Sequence, residues 1–92
     1  MQSKVYFTKN LSSESLINIY KHLNIELKGN VAVKVHSGEA GNRNFLHPEY
    51  FKDIINYVNG TVVECNTAYD GARNTSEKHK ELLDSHGWTK YF

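Results

Sequence analysis

Several things are scarce in this sequence, and each scarcity excludes a class of protein. Cys65 is the one cysteine in 92 residues. No internal disulfide framework can form from it, and this chain alone cannot supply the set of thiolates that holds an iron–sulfur cluster. Charge of one sign is also lacking. With 11 basic and 10 acidic side chains the formal net charge is +1, too balanced for binding nucleic acid mainly through phosphates or for a polybasic membrane binder. No apolar run approaches the roughly 20 residues that span a bilayer. The start, Met1-Gln-Ser-Lys-Val-Tyr6, has no signal-peptide core. Internal repeats and low-complexity segments are absent. The expectation is a cytoplasmic domain with neither nucleic acid nor membrane as partner.

What is present suits one small globular domain covering residues 1–92. Hydrophobic residues make up 39% and charged residues 23% of the chain, so it can bury a modest core. Lys4-Val-Tyr-Phe-Thr8 is a β-type run and the expected first strand. Leu16, Ile19, Tyr20 and Leu23 recur at helical spacing after Ser12 or Ser13 as N-cap, predicting a helix near 13–23. Val31 to His36 is the second strand. Val31, Val33 and Val35 share one face; Ala32, Lys34 and His36 share the other. A polar loop over 37–47 leads to Pro48, the one proline, suited to the first turn of a helix with His47 at the N-cap. Phe51, Ile54, Ile55 and Val58 give that helix its buried stripe, and Asn59-Gly60 closes it. Thr61-Val-Val-Glu-Cys65 is the third strand. A second polar loop, 66–74, ends in Asn74, which with Glu77 is placed as a capping box for a helix that carries Leu82 and Leu83 and stops at Gly87. Trp88-Thr-Lys-Tyr-Phe92 reads as the start of a fourth strand.

Strand–helix alternation of this kind predicts an α/β fold: three strand–helix units in a small, mostly parallel sheet, a Rossmann-like half. So few units imply a fragment of a larger fold or a sheet completed by a second copy. In open parallel sheets ligands bind beyond the carboxyl ends of the strands, where both polar loops lie. The candidate ligand-binding residues are therefore Lys34, His36, Ser37, Glu39, Asn42, Arg43, Glu64, Cys65, Asn66 and Tyr69. Lys34 and Glu64 stand at comparable depth on neighbouring strands, either as a structural ion pair or with Lys34 aimed at an anion. Backbone N–H groups of 37–44 and Arg43 suit a phosphate or carboxylate, or the stretch, neither a Walker loop nor a GxGxxG loop, is an ordinary connection. His36, Glu39, His47 and Cys65 match no standard metal-ligand spacing. Cys65 is by default a buried structural cysteine, with a nucleophilic role open if His36 activates it. His79 and His86, on a stripe with Leu82 and Leu83, read as packing or surface residues. Tyr69, Asp70 and Arg73 are ordinary loop residues or ligand contacts.

Three stretches carry a family likeness: Lys34-Val-His-Ser-Gly-Glu-Ala-Gly-Asn42, Asn44-Phe-Leu-His-Pro48 and Val63-Glu-Cys-Asn-Thr-Ala-Tyr69, continued by Arg73-Asn-Thr-Ser-Glu-Lys-His79 and His86-Gly-Trp88. They resemble the domain-of-unknown-function family 362, over nearly the whole chain but only the amino-terminal part of a family member. The resemblance implies a prokaryotic protein and a redox or cofactor-handling context, since members often carry a downstream ferredoxin-like segment with four-iron clusters. This chain departs by having no cluster motif. A more distant similarity, to the amino-terminal domain of nickel-pincer lactate racemases, is an analogy at the level of fold. By position His36, Glu39, Asn42, Glu64, Asn66 and Tyr69 carry the family motifs.

The leading expectation is a module binding an anionic small molecule or cofactor, with Lys34, His36, Arg43 and Asn66 holding the anion and Glu39 and Glu64 orienting them. Its site would be completed by a missing domain or a second chain. The rivals are an enzyme using acid–base chemistry at His36 or nucleophilic chemistry at Cys65, and an interaction module pairing through a sheet edge.

Overall fold

The computed structural model describes residues 2–92. Its elements in chain order are α1 (Ser13–Lys21), β1 (Val31–Lys34), α2 (Pro48–Tyr57), β2 (Gly60–Val63), α3 (Ser76–Ser85) and a 3-10 helix (Thr89–Tyr91). β1 and β2 form a two-stranded parallel sheet in register from Val31↔Gly60 to Lys34↔Val63. The architecture is a small α/β fold built on a β1–α2–β2–α3 unit.

Local chemistry accounts for the boundaries. Ser12 caps α1, its hydroxyl accepting the Ser15 N–H at 3.1 Å. Pro48 opens α2 behind an extended His47. Asn59 turns the chain with φ 51°. Gly60 then starts β2, and a Cβ there would lie 2.6 Å from Val33 Cγ2. Only glycine lets the two strands approach at this point. α3 ends in a Schellman motif. Trp88 N–H reaches Leu83 O at 2.8 Å and Gly87 N–H reaches Asp84 O at 3.1 Å. Gly87 takes the left-handed backbone this needs, at φ 78°.

The valine face of the sheet is covered. Val35, Val62, Ile55, Leu83 and Trp88 form the core, flanked by Val33, Phe51 and Tyr91. Both α2 and α3 contribute to it, and α1 packs outside against α2. The opposite face carries Ala32, Lys34, Thr61 and Val63 and is exposed.

Three expectations are corrected. Residues 4–8 join no ladder among the described residues. Val5 and Phe7 are 88% and 81% exposed, while Tyr6 packs its ring on His22, 4.7 Å between centroids. Without a neighbouring edge, β propensity alone does not make a strand. Residues 88–92 do not begin a strand either, because the Schellman turn throws the chain back so that Trp88 fills the core at 0% exposure. Thr75, not Asn74, caps α3, accepting from Lys78 N–H at 3.3 Å. Asn74 is held in the loop by its side-chain bond to Asp70.

Candidate functional site

The pairing of β1 and β2 continues one step past the strands, Val35 N–H donating to Val63 O at 3.2 Å. Glu64 therefore lies beside Val35 on the covered face, with its side chain 3% exposed. A carboxylate removed from water needs compensating donors, and three residues converge on it. Ser37 N–H donates to both oxygens at 3.2 and 3.3 Å. Arg73 Nη1 donates at 2.8 Å and His79 Nε2 stands at 3.0 Å. The Ser37 hydroxyl lies 3.4 Å from the same His79 nitrogen. Burial pushes the Glu64 pKa upward, but the Ser37 and His79 contacts outweigh it and hold the carboxyl below its ordinary range.

The network reaches outward from there. Arg73 Nη2 donates to Glu39 and, at 2.9 Å, to Tyr69 Oη, while Tyr69 O–H donates to the same Glu39. The Tyr69 hydroxyl, then Arg73, depress the Glu39 pKa. Glu39 in turn raises that of Tyr69. Asn66 Oδ1 accepts from His79 Nδ1 at 2.9 Å, and Asn66 Nδ2 donates to Ser76 Oγ at 3.2 Å. Both ring nitrogens of His79 thus face oxygens. Arg73 also fixes its own loop through the 2.8 Å bond from Thr67 N–H to Arg73 O. One buried guanidinium ties the loop after β1 to the loop after β2.

Ser37, Glu39, Glu64, Asn66 and Tyr69 of the expected set are thus brought together. Lys34 is not among them. It lies on the exposed face, its Nζ 3.3 Å from Val35 O, and forms no pair with Glu64 because the two side chains point to opposite faces of the sheet. Cys65 is exposed rather than buried, since it follows inward-facing Glu64 and so points outward. His36 is exposed as well, its Nδ1 accepting Gly38 N–H at 3.0 Å. That bond fixes the neutral ring's proton on Nε2, a donor at the strand end. Extending the register sets His36 beside Cys65, with no hydrogen bond between them among the described residues. Asn42 and Arg43 are exposed in the first loop, where Asn42 Oδ1 accepts Asn44 N–H at 2.9 Å.

Sequence reasoning gives Arg73 and His79 too little weight. His79 is a member of the buried network, not a packing or surface residue. A signal for it exists: His79 shares its helical stripe with Leu82, Leu83 and His86, so it points where the leucines point. His86 likewise reaches inward, its Nδ1 donating to Ser37 O at 2.9 Å, and its ring stacks on Phe45 at 4.2 Å and 11°. Gly38, at φ 97°, leaves room for this stack; a Cβ there would meet Phe45 Cγ at 2.6 Å.

A family model described as Domain of unknown function (DUF362) matches residues 31–92. The chain belongs to that family. The match begins at β1 and takes in every residue of the network, leaving α1 and the segment before it outside. No curated protein and no solved structure matches the chain. Iron–sulfur clusters, which the resemblance associates with family members, do not fit the donor set here. Cys65 is exposed and single, and among the described residues no group of three His, Cys, Asp or Glu side chains could hold a metal ion. Among the described residues no helix is long and apolar enough to cross a membrane.

Proposed function

We propose that this chain binds an anionic small molecule or cofactor at the carboxyl end of its parallel strands, as an uncharacterised-family module resident in the cytoplasm. The observation that carries the reading is an imbalance of partners. The acids at the strand ends, Glu39 and Glu64, are both bound by Arg73, and His79 is engaged with Glu64. Among the described residues Lys34 and Arg43 form no ion pair, and His36 offers an unengaged Nε2. The cations left over lie at one end of the sheet, where parallel α/β folds bind ligands. The buried network holds their loops still before the ligand arrives, which lowers the ordering cost of binding.

The test is an NMR titration with inorganic phosphate at constant ionic strength. The reading expects saturable amide shifts grouped at Lys34, His36 and Arg43. Uniform small shifts along every exposed lysine would defeat it.

The redox or iron–sulfur context implied by the family is part of this proposal only as a property of a partner segment or chain. Self-association is a second reading, favoured by a two-stranded sheet whose outer edges both lack a neighbour among the described residues. Sedimentation showing only monomer at high concentration would remove it.

A further inference from the structure

Beside the strand ends, between the 41–47 loop and the carboxyl end of α3, lies a groove of about 580 Å³. Asn42, Arg43, Phe45, His47, Ser85 and His86 line it, with no carboxylate among them. Phe45 packs with two imidazoles, tilted against His47 at 4.2 Å and stacked on His86 at 4.2 Å. The pair Phe45–His86 is rigid, because His86 is anchored to Ser37 O and Phe45 is pressed against Gly38.

The anchor also fixes chemistry. A carbonyl can only accept, so His86 Nδ1 carries the proton and Nε2 of the neutral ring is left as an acceptor without a partner among the described residues. Arg43 is a planar donor fork that engages no carboxylate among the described residues. His47 caps α2 without a side-chain hydrogen bond, so its ring is not committed to the helix. The residues lining the groove thus combine a cationic donor, a cluster of aromatic rings and one unpartnered acceptor.

We infer that this groove selects the ligand: an anion carrying a flat ring that bears a hydrogen-bond donor, with the charge on Arg43 and the ring against the cluster of Phe45, His47 and His86. The inference rests on the anion-binding reading and adds to it the class of molecule. A ringless anion meets only the cation. An uncharged ring gains only the aromatic contact, which is too small by itself to hold a ligand of that size.

The test uses the whole chain and three probes: 4-hydroxybenzoate, inorganic phosphate and benzyl alcohol, followed in aromatic and amide NMR spectra. The expected result is saturable, joint movement of Phe45, His47 and His86 with 4-hydroxybenzoate at millimolar concentration, and little movement of them with the other two. Arg43→Ala, at an exposed position that leaves the fold intact, should weaken that binding about tenfold, the loss of one charge-assisted contact. Equal response to benzyl alcohol would overturn the inference by showing a merely greasy surface. Movement confined to Lys34 and His36 with both anions would overturn it while leaving the anion-binding reading standing. No saturable shift anywhere would overturn both.

Discussion

The two faces of one short sheet end differ sharply. On the covered face, Glu64 is surrounded by Ser37, Arg73 and His79, and its charge is fully partnered. On the open face one residue away, Lys34, His36 and Cys65 stand in solvent with no ionic partner among the described residues. Strand parity alone separates them, because a period of two sends adjacent residues to opposite faces. Polar residues at the end of a parallel strand thus meet two environments here: the inward set ties the loops together, and the outward set lies exposed.

The sharpest way to break the contrast is to empty the centre of the network. Arg73→Ala leaves two carboxylates, one of them buried, without their shared cation. Urea unfolding should show a loss of about 3–5 kcal/mol, whereas Lys34→Ala on the open face should stay within about 0.5 kcal/mol of wild type. Comparable losses for the two would erase the distinction.

Gly38→Ala is next. It drives a Cβ into Phe45 and forces an alanine into a left-handed backbone. A loss of about 1–3 kcal/mol is expected, with disappearance of the ring-current shifts on His86. Retention of those shifts would mean the Phe45–His86 stack does not depend on the glycine.

Acid provides a third probe. The Glu64 and Glu39 pKa values are held below the ordinary carboxylate value of 4.5. The folded state therefore binds fewer protons than the unfolded one in that range. Their contribution is fully present above the ordinary value and is lost as pH falls through the lower, folded-state values. Glu64→Gln should flatten the decline in stability below pH 4.5. An unchanged slope would assign the acid sensitivity elsewhere. A smaller loss belongs to Thr75→Ala, about 1 kcal/mol for a lost N-cap, read by thermal melting.

How much of this is legible in the sequence follows from the same parity. The valine pattern of 31–35 divides β1 correctly into two faces, and Pro48, Asn59 and Gly87 correctly mark helix ends. Burial is harder to read. Lys34 and Glu64 stand at similar depth along their strands, and only the lateral register decides that they point apart. Cys65 reads as buried because its type usually is, yet the helices cover only the other face. Val5 and Phe7 read as a strand because propensity is local, whereas a ladder needs a neighbour. His79 is visible in the leucine stripe of α3 once it is judged by direction rather than by residue type. Arg73 sits in an irregular loop, where no periodicity says which way a side chain turns.

The most direct measurement is the thermal midpoint of wild type and of a Lys34→Ala, Arg43→Ala variant, each with and without phosphate at constant ionic strength. The account predicts equal midpoints without phosphate, and a rise of about 4–8 °C per kcal/mol of binding in the wild type alone. A variant that already melts several degrees lower, or that retains the full rise, would contradict it.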